Sequence, residues 1–147
     1  MRLGFTGTRP PFTNIQFHAL EHLMLTIRGE VTEAHHGDCV GADEAFHDIC
    51  MDLGIPVVIH PPLLMKWDAN CTGYAEKREP KPYQPRDRDI VDETELLIAG
   101  PKTFTPIPHS GTWYTAGYAR AIGKPIWFVY PNGWVVSYKR GGNLNVS

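Results

Sequence analysis

The stretch RDRDIVDETELLIAGPKTFTPIPHSGTWYTAG, residues 86–117, decides the fold of this chain. It begins with a charged helical turn, continues into an apolar run at residues 96–99, and passes through a proline-punctuated loop to Ser110-Gly111-Thr112. The apolar run predicts a buried strand, and the small residues after Thr112 predict a helix that packs closely on a sheet. Open α/β sheets bind anionic ligands where a strand leads into such a helix start, because the first helical amides lack intrahelical partners.

Strands and helices are predicted to alternate along the rest of the chain. Apolar residues recur at helical spacing from Thr13 or Asn14 to about Arg28, and again over residues 42–53. The predicted strands are residues 3–6, 31–36, 56–60, 96–99 and 125–130. This alternation predicts a single α/β domain over residues 1–147, a three-layer sandwich with a mostly parallel five-stranded sheet.

A long loop interrupts this alternation at residues 61–85, which hold five prolines and show no clean periodicity. Trp67, Tyr74 and Tyr83 lie in it among charged residues. Two interpretations stay open: a functional loop whose aromatic side chains stack on a ring, or a surface excursion with its own small cluster.

Proline and glycine also punctuate the two ends of the chain. Pro10-Pro11 cannot continue the first strand, which therefore ends near Gly7. The tail, residues 131–147, has turn signals at Asn132-Gly133 and Gly141-Gly142. It predicts an antiparallel edge strand or hairpin, or a segment that packs against a partner subunit.

Composition narrows the class of protein. The chain has 147 residues, a formal net charge of -2 and a pI near 6.4, which favours a small ligand over a long nucleic acid. No apolar run approaches the roughly 18 residues of a membrane span, so we expect no membrane partner. Cys39, Cys50 and Cys71 form no metal-binding or disulfide pattern, and we interpret them as free thiols of a cytoplasmic protein.

The glycine-bearing turns are expected to meet at one edge of the sheet. The carboxyl ends of parallel strands share an edge, so Gly7-Thr8-Arg9, Gly37-Asp38 and the loop after Gly100 converge there. Backbone amides, hydroxyls and arginine forks suit a phosphate, while the aspartates suit ribose hydroxyls or an amine. The candidate ligand-binding residues are Gly7, Thr8, Arg9, Gly37, Asp38, Gly41, Ala42, Asp43, Arg86, Arg88, Ser110, Gly111 and Thr112. Asp43 would equally serve as a favourable acid in the first turn of a helix.

These motifs, in this order, resemble the SLOG superfamily. It joins the Lonely Guy cytokinin-activating proteins, the molybdenum-cofactor carrier proteins and the DNA-processing protein A fold. The elements that match are Gly7-Thr8-Arg9, Gly37-x-x-x-Gly41-Ala42-Asp43, the arginine-rich run from Arg86 to Ile90, and Ser110-Gly111-Thr112. The resemblance covers roughly residues 2–131 and is greatest to the small YspA- or YpsA-like bacterial and phage branch. It implies a Rossmann-like fold that binds a nucleotide or nucleotide-derived ligand.

One departure from the family pattern bears on catalysis. The phosphoribohydrolase members carry a segment similar to Pro-Gly-Gly-x-Gly-Thr-x-x-Glu, whose glutamate helps to cleave an N-glycosidic bond. Here Gly111 and Thr112 match, but Thr115 stands at the glutamate position. Asp38, Asp87 or Asp89 would have to supply the carboxylate in an enzyme. The other interpretation of Asp87 and Asp89 is a solvated, charged helix start.

Three hypotheses for function follow. The favoured one is a nucleotide-ligand-binding protein that senses, carries or sequesters its ligand without turnover. The second is a nucleoside 5'-monophosphate N-glycosidase or phosphoribohydrolase with a non-standard carboxylate. A DNA-binding module is weaker, because acidic residues interleave with the basic ones over residues 76–89.

Partners and metals are less well specified by the sequence. The aromatic residues Trp113, Tyr114 and Tyr118 exceed what one sheet face needs, which predicts a homo-oligomer unless they pack under the long loop. His18 and His22 lie one helical turn apart, but spacing suggests no third ligand, so no metal site is predicted. The one expected ion is Mg²⁺ brought by a bound nucleotide.

Overall fold

Strands and helices alternate in the computed structural model, which describes residues 1–9, 12–139 and 145–146. The strands are β1 Arg2–Gly7, β2 Glu33–His36, β3 Val57–Ile59, β4 Glu76–Lys77, β5 Leu96–Gly100, β6 Ile126–Val129, β7 Val135–Tyr138 and β8 Asn145–Val146. The helices are α1 Asn14–Ile27, α2 Ala42–Leu53, α3 Tyr83–Asp92 and α4 Gly111–Ala121. Short 3₁₀ turns lie at Arg28–Glu30 and Met65–Trp67.

The strands form one sheet in the order β4-β3-β2-β1-β5-β6-β7-β8. All neighbours from β4 to β6 pair in parallel, and β7 is antiparallel to both β6 and β8. The chain builds outward from β1 on one side and from β5 on the other. The crevice between the carboxyl ends of β1 and β5, where Gly7 pairs with Gly100, is therefore the switch point at which such sheets bind ligands.

Helices cover both faces of the sheet, so the predicted three-layer α/β class is confirmed. On one face α1 and α2 pack against β1 and its neighbours around Phe5 and Phe46, whose rings stack 4.4 Å apart. On the other face Val91 of α3 and the alanines of α4 pack against β5 and β6. Ala116 and Ala119 bring α4 close to the sheet, as the small residues of that helix predict.

Local signals place the helix ends where the sequence predicts them. Thr13 caps α1 by accepting a hydrogen bond from the Gln16 amide at 3.0 Å, and the Gln16 side chain reaches back to the Thr13 amide. Gly54 ends α2 in the left-handed conformation, with φ of 69°.

The sheet has eight strands rather than the predicted five. The tail supplies β7 and β8, in agreement with the predicted edge strand or hairpin, although its Gly141-Gly142 turn lies outside the described residues, as do Pro10-Pro11. The long loop at residues 61–85 contributes β4, a short 3₁₀ turn and the first turn of α3. Its strand is only two residues long and exposed, so no periodicity marked it.

Among the described residues, none of the helices combines the length and apolar character that crossing a bilayer requires. Cys39, Cys50 and Cys71 are free thiols, as predicted.

Candidate functional site

A cavity of about 620 Å³ opens at the carboxyl edge of the sheet, at the switch point between β1 and β5. The loops after β1, β2 and β5 and the first turns of α3 and α4 enclose it. The predicted ligand-binding residues that line it are Gly7, Thr8, Arg9, Gly37, Asp43, Arg86, Ser110, Gly111 and Thr112. The convergence expected from parallel-sheet geometry is therefore present for these nine residues.

Arg86 is a buried cation in the wall of the cavity. Its Nε donates to Asp87 Oδ1 at 2.7 Å, and its Nη1 donates to the carbonyls of Gly37 and His60 at 2.5 and 3.0 Å. A Cβ at Gly37 would lie 2.5 Å from the same nitrogen, so this position has no space for a side chain. Arg86 thus joins the start of α3 to the ends of β2 and β3. The protein itself uses four of its five donors, since Nη2 also lies 3.7 Å from Cys39 Sγ.

Asp43, in the first turn of α2, is a buried carboxyl that lines the cavity. Its Oδ2 accepts a hydrogen bond from the Cys39 amide at 3.1 Å, and its Oδ1 has no partner among the described residues. Burial raises the pKa of Asp43 to about 7, against the opposing pull of Arg86. This carboxyl is therefore poised to take up or lose a proton near neutrality.

Asp87 lines the cavity beside the position where the family resemblance expects a glutamate. Burial raises the pKa of Asp87, while the Arg86 guanidinium and a hydrogen bond from the Thr115 hydroxyl act in the opposite direction. Gly111 lies close by, since a Cβ there would be 4.0 Å from Asp87 Oδ2. The predicted solvated helix start is therefore wrong for Asp87, because its carboxylate is buried against the Arg86 guanidinium.

Two helix N-termini point toward this edge of the sheet, and their first amides have different hydrogen-bond partners. At α2, the Gly41 amide donates to Glu44 Oε1 and the Ala42 amide donates to the Thr8 carbonyl, each at 3.0 Å. At α4, Ser110 Oγ accepts from the Trp113 amide at 3.2 Å. The amides of Gly111 and Thr112 precede the first bonded turn and line the cavity.

The rim of the cavity carries cationic and aromatic side chains. The Arg9 guanidinium lies 4.2 Å from the Trp67 ring centre and 5.7 Å from that of Tyr83. Lys102, in the loop after β5, also lines the cavity. The Tyr83 hydroxyl is buried without a partner among the described residues. Of the aromatic residues in the long loop, Tyr83 therefore lines the cavity, and Trp67 contacts Arg9 at its rim.

Five candidate residues from the sequence do not line the cavity. Asp38 has a φ of 53°, and its Oδ1 accepts from the Cys71 amide at 2.9 Å, so it holds the loop around residues 68–71. Asp89 forms an ion pair with Lys81 at 2.5 Å on the surface. Arg88 donates to the Tyr114 hydroxyl at 2.7 Å. Gly41 and Ala42 form the closed start of α2.

Several cavity residues escaped the sequence analysis. They are Cys39, Gln84, Lys102, His109 and Tyr114. Lys102 and His109 lie in a loop of predicted importance, whereas no local pattern marks Gln84 or Tyr114. Burial, together with the Asp43 charge, raises the pKa of the Cys39 thiol to about 11, so it stays protonated and is a poor nucleophile.

The aromatic residues of α4 find partners within the chain. Trp113 stacks on Phe128 with ring centres 5.6 Å apart, and its Nε1 donates to Thr103 Oγ1. Tyr118 donates to Asp92 Oδ1 at 2.6 Å. Trp113 and Tyr118 therefore have partners within the chain, and the homo-oligomer that the sequence predicted from the α4 aromatic residues stays a prediction.

Comparisons with known proteins bear on the fold. No protein-family model and no curated protein sequence matches the chain. The X-ray structure of TM1055, a Northeast Structural Genomics Consortium target, superposes with a TM-score of 0.62 and 16% identity, over 85% of this chain and 71% of that chain. DNA processing protein A from Helicobacter pylori, described with its single-stranded DNA binding mode, superposes with a TM-score of 0.61 and 14% identity. That match covers 87% of this chain but only 64% of the longer protein. This chain therefore shares the Rossmann-like α/β fold of these two structures.

Proposed function

We propose that the chain binds a nucleotide or a nucleotide-derived small ligand in the cavity at the carboxyl edge of the sheet, as a sensor, carrier or sequestering protein. One observation carries the proposal: the open N-terminus of α4 shares one cavity with the Tyr83 ring and with the buried carboxyls of Asp43 and Asp87. A phosphate, an aromatic base and ribose hydroxyls are the groups that these three features recognise.

Each part of such a ligand has a matching surface. The amides of Gly111 and Thr112, with Lys102 in the same cavity, suit the phosphate. Asp43 Oδ1 and the Tyr83 hydroxyl are buried polar atoms that would gain partners from the ligand, which offsets the cost of their burial. The cavity volume of about 620 Å³ lies within the range of small-molecule sites, roughly 300–1,000 Å³.

A pair of tyrosine variants tests the proposal. Small molecules released from the heat-denatured protein are identified by mass spectrometry, and nucleoside monophosphates are then titrated by calorimetry. Tyr83→Leu should weaken nucleotide binding about fivefold to a hundredfold, because base stacking contributes roughly 1–3 kcal/mol, and should leave ribose 5-phosphate binding unchanged. Tyr74→Leu, on the exposed part of the same loop, is the matched control. Absence of any released or titrated nucleotide would refute the proposal.

The hydrolase hypothesis gains a specific observation. Asp87 is a buried carboxyl beside Thr115, the residue at the family's glutamate position, and it also faces the cavity. In an N-glycosidase, water adds to the ribose C1' carbon and the base leaves with a proton, so the products are the free base and ribose 5-phosphate. A carboxylate at Asp87 would stabilise the positive charge on the sugar or accept a proton from the water.

Free-base release separates the two functions. If the chain is a hydrolase, Asp87→Asn lowers free-base release from nucleoside monophosphates far more than it lowers ligand binding. Asp89→Asn, at the surface ion pair with Lys81, leaves release unchanged. If the wild-type chain binds nucleotides but releases no base, the binding function stands alone.

DNA binding is a weaker candidate, although a protein of the same fold is described with single-stranded DNA. The basic residues expected to form a patch are largely engaged within the chain. Arg78 pairs with Glu76 and Glu93, and Lys81 pairs with Asp89. Strongly salt-dependent retention of the protein on single-stranded DNA would support this candidate instead.

A further inference from the structure

Four buried histidines form two imidazole pairs on opposite faces of β2. His36 Nε2 lies 2.9 Å from His47 Nδ1, on the face covered by α2. His35 Nδ1 lies 2.9 Å from His60 Nε2, on the other face. Each pair has a third neighbour with a ligating atom, Cys71 for the first and Glu93 for the second, with the ligating atoms of each group within 4.8 Å of one another.

Hydrogen bonds occupy every ring nitrogen of the pair formed by His36 and His47. The Asp38 amide donates to His36 Nδ1 at 2.9 Å, so the ring proton lies on Nε2 and is donated to His47 Nδ1. His47 Nε2 then donates to the Thr72 carbonyl at 2.6 Å. A metal ion on His36 Nε2 would move that proton to Nδ1, against the Asp38 amide. This pair is therefore a closed hydrogen-bond chain.

The pair formed by His35 and His60 has the opposite polarity. His35 Nε2 lies 2.5 Å from Glu33 Oε2, and a carboxylate accepts hydrogen bonds, so the ring proton points away from His60. His35 Nδ1 is left with a lone pair that faces His60 Nε2. In metal sites, the histidine nitrogen that does not bind the metal commonly donates a hydrogen bond to a carboxylate, as His35 Nε2 does here.

Glu93 completes a set of three ligands. Arg78 contacts its Oε1 at 2.5 Å, which leaves the other carboxylate oxygen for an ion. Two nitrogens on one tetrahedral ion at about 2.0–2.1 Å are about 3.3 Å apart, so the observed 2.9 Å between the imidazoles needs to widen by only a few tenths of an ångström. His60 would then carry its proton on Nδ1.

We propose that His35, His60 and Glu93 form a binding site for a divalent transition metal ion of the zinc type, with a water molecule as fourth ligand. Two imidazoles and one carboxylate are the donors that zinc and cobalt(II) prefer, and the half-buried Glu93 side chain leaves the fourth position reachable by solvent. The ion would join β2, the residue after β3 and the end of α3. The carbonyl of His60 accepts from Arg86 at 3.0 Å, so one hydrogen bond links the metal site to a residue that lines the cavity.

Cobalt(II) titration tests the proposal on the full chain. Protein stripped with a chelator should bind one Co²⁺ per chain with the intense visible absorption of four-coordinate cobalt, and Zn²⁺ should displace it. Glu93→Gln, at a half-exposed position that the fold tolerates, should weaken Co²⁺ binding tenfold or more, and His60→Gln should do the same.

Two variants serve as matched controls. His47→Gln disrupts the closed pair and should keep Co²⁺ binding. The double variant His18→Gln/His22→Gln removes the exposed histidines of α1, of which His18 lies 3.9 Å from Glu21, and should also bind Co²⁺ as the wild type does. Failure of the wild-type chain to bind Co²⁺, wild-type affinity in Glu93→Gln, or loss of binding in His18→Gln/His22→Gln would overturn the proposal.

Discussion

The N-termini of α2 and α4 reach the same edge of the sheet, yet the chain's own acceptors bond the leading amides of only one of them. At α2, the Glu44 carboxylate and the Thr8 carbonyl accept hydrogen bonds from the Gly41 and Ala42 amides, and the Arg86 guanidinium lies nearby, bonded to the Gly37 carbonyl. The α4 terminus presents the amides of Gly111 and Thr112 to the cavity. A glycine-rich helix start in the sequence therefore has two different uses, and the hydrogen-bond partners of the first amides tell them apart.

The difference predicts opposite responses to mutation. Changes on the α2 side should cost stability, because its glycines and charges are packed into the interior. Changes on the α4 side should cost ligand affinity, with a loss of stability no larger than that of removing one helix cap, about 1 kcal/mol.

The largest effect is expected from Arg86→Met. Removing the guanidinium leaves the buried carboxyls of Asp87 and Asp43 without their cation, and breaking a buried ion pair costs about 3–5 kcal/mol. Urea denaturation monitored by circular dichroism should show this loss in the free energy of unfolding. Arg28→Met, which replaces an exposed side chain just after α1, is the control and should change stability by less than about 0.5 kcal/mol. Equal losses in the two variants would contradict the assignment of Arg86 to the packed side.

The raised pKa of Asp43 should be visible in the pH dependence of the free energy of unfolding. Its pKa is raised to about 7 from an ordinary value of 3.8, so between these values the native state keeps a proton that the unfolded state has lost. The unfolding free energy should therefore fall as pH rises through this window, by up to about 1.4 kcal/mol per pH unit. In Asp43→Asn this contribution is absent, so the variant should gain stability relative to the wild type from pH 4 to pH 8. The same substitution at the exposed Asp48 is the control, and a constant difference between Asp43→Asn and wild type would contradict the account.

A smaller loss of stability is expected from Gly7→Ala. The added Cβ would lie 2.4 Å from the Ala42 Cβ and 2.9 Å from the Phe5 ring, so β1 and α2 must move apart, which costs roughly 1–3 kcal/mol. In Gly117→Ala the new methyl group meets nothing within 4 Å, and the variant should instead gain about 0.5–1 kcal/mol from helix propensity. Thermal and urea denaturation of the pair measure the contrast, and a stable Gly7→Ala protein would show that the α2 side is not packed as described.

Removing the side-chain cap of α2 or of α4 should lower the free energy of unfolding by similar amounts but have different effects on ligand binding. Glu44→Ala and Ser110→Ala each remove one side-chain cap, at a cost of about 1 kcal/mol. Only the second lies at the wall of the cavity, so only Ser110→Ala should also weaken ligand binding. The comparison of unfolding free energies with affinities separates the structural from the ligand-binding helix start.

Much of the fold follows from local sequence. Apolar runs marked four of the five central strands, and residues 31–36 gave only a weaker strand signal. The caps at Thr13 and Gly54 marked helix ends, because these signals depend on neighbouring residues alone. The strand β4 depends on pairing with β3, and its two exposed residues carry no periodic signal. The start of α3 at Tyr83 lies among prolines that favoured a loop.

The sequence predicted which backbone turns line the cavity better than it predicted which charged side chains face it. Parallel topology brought Gly7, Gly37 and Gly111 to one edge, as predicted. The sequence could not show that Asp87 turns inward to Arg86 while Asp38 turns away toward the Cys71 amide, because both choices depend on contacts between distant segments. The same limit applies to His35 and His60, which lie on β2 and directly after the neighbouring strand β3.

The most direct test of the central claim is a calorimetric titration of the four ribonucleoside 5'-monophosphates into wild type, Thr112→Val and Glu44→Ala. We predict that at least one monophosphate binds, and that Thr112→Val, which removes a hydroxyl at nearly constant volume, weakens it roughly tenfold or more, because hydrogen bonds to charged groups contribute about 1.5–3 kcal/mol. Glu44→Ala should bind as the wild type does. Loss of binding in Glu44→Ala with wild-type affinity in Thr112→Val would contradict the account, as would a wild-type chain that binds none of the four.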